Sequence, residues 1–206
     1  MIIKKLEVGP IMANCYILGC KLTKEAAVID PGDDADRILM ALSKSGLKVK
    51  YLINTHGHFD HVGANKRMKE VTGAKLAIHP DDEIMLDELS SSASMFGLSA
   101  ENSPPADILL KDGDEITFGK ITLKVIHTPG HSKGGVCFYT KGHLFSGDTL
   151  FAGSIGRTDL EGGDYDTLIS SIKQKLLGLD DETKVHTGHG PETTIANEKR
   201  MNPFLR

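Results

Sequence analysis

Residues 55–61 read Thr55-His56-Gly57-His58-Phe59-Asp60-His61, THGHFDH, and place three of the chain's nine histidines beside an aspartate. The segment follows an apolar run, VKYLIN (49–54), that reads as a strand. It leads into HVGANKRMKEVT (61–72), which reads as a helix stopping at Gly73. In extended chain, residues two apart point the same way, so His56 and His58 aim their imidazoles at one point. Asp60 and His61, at the turn into the helix, can face a neighbouring point, and Gly57 lets the backbone approach closely. One short loop thus offers two ligands to one cation and two to another. A solvated polar loop would explain a single histidine but not this cluster.

Four ligands rarely complete a two-metal site, so the rest of the chain must supply more. Three further places follow apolar runs. IHTPGH (126–131) offers His131, FSGDT (145–149) offers Asp148, and VHTGHG (185–190) offers His189. Each has a glycine beside it, as a tight turn around a buried ion requires. A carboxylate has two oxygens, so Asp148 could bridge two cations.

The chain has 206 residues, 39% of them hydrophobic and 25% charged, with net charge −4 and a pI near 6.1. That length suits one domain, or two fused halves, with a sizeable core. The mild acidity argues against nucleic acid as a partner, which needs a basic footprint. No apolar run approaches the ~18 residues of a membrane span, and the N-terminus has no signal-peptide pattern. Cys15, Cys20 and Cys137 are an odd number with no C-x-x-C, as expected of reduced thiols in a cytoplasmic protein.

Short apolar segments recur at 2–8, 15–20, 26–30, 49–54, 74–79, 115–118, 121–128, 136–140 and 143–148, and these read as strands. Helical patterns run over 33–45, 61–72, 81–89, 164–177 and 191–200. The order predicts α/β architecture with two sheets packed face to face and helices outside each, a four-layer αβ/βα sandwich. The serine-rich stretch 89–105 is expected as a long loop at the junction between two fused halves.

In order and spacing, THGHFDH, TPGHS (128–132), SGDTLF (146–151) and TGHG (187–190) resemble the metallo-β-lactamase superfamily. GDTLFAGSIGRTDLEGGD (147–164) and NEKRMNPFL (197–205) are similar to its short glyoxalase II-type hydrolases. The resemblance implies one metallo-β-lactamase-fold domain over 1–206. It implies a first metal on His56, His58 and His131, a second on Asp60, His61 and His189, and Asp148 as the bridge. Two divalent cations, zinc first and iron or manganese as alternatives, would lower the pKa of a shared water toward ~7. Asp60 and Asp148 would hold that hydroxide as the nucleophile. The implied reaction is hydrolysis of a hydroxyacyl thioester like S-lactoylglutathione, a small-molecule partner. A mononuclear-iron persulfide dioxygenase, which has similar motifs, is the alternative.

Three departures qualify the substrate. Related glyoxalase II enzymes carry, where Arg157 stands, a lysine that holds a glutathione carboxylate; an arginine fork would serve similarly, and the alternative is a surface arginine paired with Asp159 or Glu161. Their tyrosine two residues on is Asp159 here. Their C-terminal helical glutathione-binding domain is expected to be absent, because the sequence ends at Arg206. Asp148 stands where dedicated β-lactamases commonly carry a cysteine, which argues against antibiotic hydrolysis, and His58 stands where flavodiiron proteins carry a glutamate.

One rival occupies the same letters. Gly130-His131-Ser132-Lys133-Gly134 matches G-x-S-x-G, and Asp148 and His189 follow in the order of a serine hydrolase. That motif needs a helix after the turn, whereas 135–140 reads as a strand. His79, His127, His143 and His186 are expected in supporting roles. Asp30, in VIDPGD, either accepts a proton from a ligand imidazole or only shapes its turn.

Overall fold

The computed structural model describes Met1–Arg206. The chain begins with β1 (Ile2–Val8), β2 (Ala13–Gly19) and β3 (Glu25–Ile29), followed by α1 (Ala35–Ser45) and β4 (Lys48–Ile53). Two short helices, α2 (Phe59–Val62) and α3 (Asn65–Thr72), precede β5 (Lys75–Ile78), α4 (Pro80–Glu83), α5 (Leu89–Met95) and β6 (Ile108–Leu109). The second half holds β7 (Glu115–Phe118), β8 (Ile121–His127), β9 (Val136–Thr140), β10 (His143–Gly147), β11 (Leu150–Phe151) and β12 (Ser154–Ile155). It closes with α6 (Tyr165–Ser171), β13 (Lys184–Thr187), β14 (Thr193–Thr194) and α7 (Ile195–Met201).

The strands form two six-stranded sheets, β1-β2-β3-β4-β5-β6 and β14-β13-β10-β9-β8-β7, with β11 and β12 as a separate hairpin. Alternation along each strand sends side chains to two different apolar layers. In β2, Cys15 and Ile17 pack with Ile38, Leu42 and Met68 of the helices. Tyr16 and Leu18 point the other way, to Phe118, Leu123, Phe138 and Phe145 of the second sheet. A third cluster joins Leu144 and Val185 to Leu168, Ile172 and Ile195 on the far side. Three apolar layers between four layers of elements make the expected sandwich. Both faces of the inner strands are buried, which is why they read as continuous apolar runs. Each fully buried leucine, isoleucine or phenylalanine contributes roughly 1.5–3 kcal/mol.

Several boundaries differ from the sequence reading. The helix expected over 61–72 begins at Phe59 and breaks after Val62. The break lets the Ala64 N–H donate to the Pro31 carbonyl, and a Cβ on Gly63 would lie 2.5 Å from the Gly32 oxygen. The helix expected over 81–89 is α4 plus one 3₁₀ turn, Ile84–Leu86. The stretch 89–105 opens with a helix, α5, because Leu89 and Ala93, one turn apart, are both buried. The chain passes from one sheet to the other after β6, between Leu109 and Glu115. The helix over 164–177 widens into a π segment at Ile172–Leu176. The last begins only at Ile195, because Thr193 and Thr194 pair with β13. No helix is long and apolar enough to cross a membrane.

β3 and β4 run parallel, as do β10 and β13. Asp30, His56, His131, Asp148 and His189 all follow the C-terminal ends of β3, β4, β8, β10 and β13. Both sheets therefore empty their loops onto one rim.

Candidate metal centre

The rim gathers all seven proposed ligands. Donor atoms of His56, His58 and His131 lie within 4.8 Å of one another, as do those of Asp60, His61 and His189, and those of His56, His61 and Asp148. His58 Nδ1 is 2.9 Å from His131 Nε2, and His61 Nε2 is 3.1 Å from His189 Nε2. Asp60 Oδ2 is 3.2 Å from His189 Nε2 and 3.6 Å from His61 Nε2. Asp148 reaches both sets: Oδ1 is 3.4 Å from His61 Nε2, and Oδ2 is 3.6 Å from both His131 Nε2 and His189 Nε2. A tetrahedron of ~2.0–2.2 Å bonds has edges of ~3.3–3.6 Å, so these separations suit cations shared by such groups.

The outer nitrogens decide which inner atoms carry lone pairs. His131 Nδ1 donates to the Arg157 carbonyl at 2.8 Å, and His61 Nδ1 donates to Asp30 Oδ2 at 3.2 Å. Thr55 donates its hydroxyl proton to Asp30 Oδ2 at 2.7 Å and therefore accepts from His56 Nδ1 at 3.0 Å. With those outer nitrogens bonded, each ring in its neutral form turns an unprotonated Nε2 inward. Asp30 also accepts from the Thr55 N–H at 2.7 Å. It orients the His61 imidazole directly and the His56 imidazole through Thr55, as well as occupying its turn.

Two atoms test whether a cation fits. His56 Nε2 and Asp148 Oδ1 are buried with no hydrogen-bond partner. An orphaned buried polar atom costs about 1–3 kcal/mol, and two of them beside a ring of lone pairs are what a cation would satisfy. The residues fit the group.

Burial pushes the His61 imidazole down, but the Asp148 and Asp60 carboxylates carry it well above its ordinary pKa, so a proton occupies the position a cation would take. Burial, reinforced by the neighbouring imidazoles, holds His56 well below its ordinary pKa and pushes His58 down to about 4. Both are uncharged donors at neutral pH. Burial pushes the Asp60 and Asp148 carboxyls up, but His61, His189 and, for Asp148, His131 bring both below the usual carboxylate range. Close packing needs glycine twice. A Cβ on Gly188 would lie 2.0 Å from Asp148 Oδ1. One on Gly147, at φ +48°, would lie 2.3 Å from Thr55 Oγ1.

The other candidates lie elsewhere. Ser132 donates to Asp82 Oδ2 at 2.7 Å and has no imidazole partner, and β9 stands where a nucleophile elbow needs a helix. Arg157 forms a two-pronged pair with Asp159 at 2.7 and 2.8 Å, its side chain 53% exposed. Only its backbone carbonyl touches the centre. His79 and His127 stack 4.1 Å apart at 9°, with Asp81 nearby. Imidazole lone pairs lie in the ring plane, so two parallel rings cannot converge on one ion. His79 instead accepts from the Asp81 N–H, and His127 Nε2 donates to the Lys133 carbonyl. His143 and His186 form a chain to Glu192 at 2.9 and 2.8 Å. The three cysteines are free and buried.

Sequence reasoning missed the supports. Thr55 was visible only as the first letter of THGHFDH. Glu198 is buried and accepts from the Gly153 N–H at 2.9 Å and from Asn202 Nδ2 at 2.8 Å. Asn202 donates in turn to the Ser154 carbonyl at 3.0 Å. The NEKRMNPFL segment thus braces the hairpin that leads to Arg157.

Such a donor set, on the shared rim of an αββα sandwich, belongs to a known class. The chain is a member of the metallo-beta-lactamase superfamily, whose family model matches residues 8–189, and it is a metal-dependent hydrolase of that superfamily. It is similar to the hydroxyacylglutathione hydrolase GloC of Haemophilus influenzae, 40% identical with 97% of each chain covered. Among solved structures it is similar to the BLEG-1 B3 metallo-beta-lactamase, with TM-score 0.93, 41% identity and 99% of each chain covered. It is also similar to TTHA1623 in a di-iron-bound form, with TM-score 0.91 and 39% identity, covering 98% of this chain and 100% of that one.

Proposed function

We propose that the chain is a binuclear thioester hydrolase acting on hydroxyacyl thioesters of the S-lactoylglutathione kind. The observation that carries the reading is the pair of three-donor sets bordered by Asp148, one of whose oxygens has no hydrogen-bond partner. His56, His58 and His131 would hold one divalent cation, and Asp60, His61 and His189 the other. The similarity to GloC over nearly the whole chain supports the substrate class. When bound, the cations lower the pKa of water toward ~7 and polarise the acyl carbonyl. The imidazole-rich set favours zinc, and the di-iron form of TTHA1623 supports iron as the alternative, with manganese also compatible with mixed N/O donors.

The chain's own residues do the rest. Asp30, directly and through Thr55, keeps the outer nitrogens of His61 and His56 protonated and their inner ones bare. Asp60, 16% exposed at the cleft, spends Oδ2 on His189 and keeps its second oxygen available for a proton from water. Asp159 occupies the Nε/Nη2 edge of Arg157, so a substrate carboxylate read by that edge must displace Asp159. Arg157→Ala is therefore expected to raise KM for an anionic thioester several-fold with metal content intact, and Asp159→Ala to lower it. Steady-state kinetics on anionic and neutral thioesters checks both; unchanged KM in both variants returns the pair to a surface role.

The deciding experiment combines metal analysis of the purified protein with three assays: hydroxyacyl thioester hydrolysis, oxygen uptake with a persulfide, and β-lactam hydrolysis. The expected result is two cations per chain and chelator-sensitive thioester cleavage. Oxygen uptake with one iron would replace this reading with the dioxygenase. The similarity to BLEG-1 favours β-lactam hydrolysis as a second reading, and cleavage of a β-lactam at a rate exceeding that of thioesters would install it. His58→Ala is expected to lose hydrolysis by about 10²-fold or more, while Ser132→Ala stays within about tenfold of the parent. A dead serine variant beside a healthy histidine variant would restore the elbow.

A further inference from the structure

Asp82 lies on α4, outside every motif that resembles the family, and its side chain is built into the centre's supports. Only 1% exposed, it has no cationic partner. Its carboxylate is satisfied instead by three donors from two distant loops. Oδ2 accepts from the Gly57 N–H at 3.0 Å and from the Ser132 hydroxyl at 2.7 Å. Oδ1 accepts from the Gly134 N–H at 2.6 Å. Gly57 separates His56 from His58, and Ser132 adjoins His131, so every donor belongs to a loop carrying the same set of three imidazoles. None of the three donors comes from the loop of His189.

The fit is close on both sides. A Cβ on Gly57 would lie 2.9 Å from the Asp82 carbonyl and 2.7 Å from Met85 Cβ. One on Gly134 would lie 2.7 Å from the Asp82 nitrogen and 2.8 Å from Oδ1. Neither glycine has positive φ, so what each needs is close approach to α4. The helix is itself fixed at its start, where His79 accepts from the Asp81 N–H while stacking on His127.

We propose that Asp82 is the positioning residue of the His56/His58/His131 set, a clamp that fixes the spacing of the two loops bringing those imidazoles together. It stands to this set as Asp30 stands to His61. Ser132 has a place in the clamp, as the hydroxyl that links the His131 turn to Asp82. The inference rests on the reading that these three imidazoles take a cation, and the test separates the two.

The full-length chain is stripped with a chelator and titrated with Zn²⁺, and with Co²⁺ as a spectroscopic probe, in parent, Asp82→Asn and Ser132→Ala forms. His58→Ala and His189→Ala identify which affinity belongs to which set. Asp82→Asn keeps the shape but turns one end of the group into a donor facing donors. One affinity, the one lost in His58→Ala and kept in His189→Ala, is expected to fall by about 10–100-fold. Ser132→Ala is expected to weaken the same affinity several-fold, and the melting temperature of the stripped protein to move less than that of the loaded one. Two affinities falling together, or neither moving, would overturn the clamp. A parent that binds no cation at the three imidazoles overturns the metal reading and the clamp with it. Should Asp82→Asn fail to fold, Ser132→Ala decides alone: the same selective loss supports the clamp, and an unchanged titration overturns it.

Discussion

Asp148→Ala is expected to lose bound metal and hydrolysis together, with the rate falling by at least ~10³-fold, or ~4 kcal/mol of transition-state stabilisation. The size of the effect follows from where the two oxygens sit. One lies 3.4 Å from His61, and the other lies 3.6 Å from His131 and from His189, so a single carboxylate borders both donor sets. No other residue does so with two oxygens. His56 groups with donors of both sets, but it has one inward nitrogen, and a nitrogen lone pair serves one cation. Asp148→Asn, which keeps the volume and removes the charge, should fall between the alanine variant and the parent. Metal quantification alongside the thioester assay checks the pair. A variant that kept two metals and full activity would remove Asp148 from the bridge.

The second large effect lies behind the ligands. Asp30→Ala strips three buried donors of their acceptor: the Thr55 N–H, the Thr55 hydroxyl and His61 Nδ1. Each unsatisfied group costs about 1–3 kcal/mol, and the three share one cavity, so a combined loss of about 3–5 kcal/mol of folding stability is expected. That is a large share of the ~5–15 kcal/mol available to a typical domain. The same change frees the Thr55 hydroxyl to donate toward His56 and leaves the His61 ring without an orientation. Metal affinity should therefore fall at both sets, in contrast to the selective loss expected for Asp82. Denaturant unfolding of the stripped protein measures the first effect, and Zn²⁺ titration the second. A wild-type unfolding midpoint with two cations still bound would show that Asp30 only shapes its turn.

The seven candidate donors were readable because His131, Asp148 and His189 each sit beside a glycine after an apolar run, and because His56, His58, Asp60 and His61 are close in sequence. The inner strands were readable because both of their faces are buried. Segments that depend on remote partners were not. β6, β11 and β12 are two residues each and carry no period of their own. α5 looked like a loop, since four of its seven residues are serines and only Leu89 and Ala93 turn inward. Arg157 was legible as a cation near the site with Asp159 or Glu161 as its surface alternative, and the structure pairs it with Asp159.

By itself, then, the sequence determined the sandwich and named the candidate donors, since strand alternation, apolar run length and donor spacing are local properties of the chain. What it could not determine is which neighbour of two like residues turns inward. Asp81 and Asp82 are adjacent acids at the start of one short helix, and on paper both read as a solvated first turn. In the folded protein Asp81 faces solvent, while Asp82 is buried against donors 25, 50 and 52 residues away in sequence. Successive helical residues point ~100° apart, and only the packing of α4 against the two ligand loops selects the face that carries a carboxylate inward.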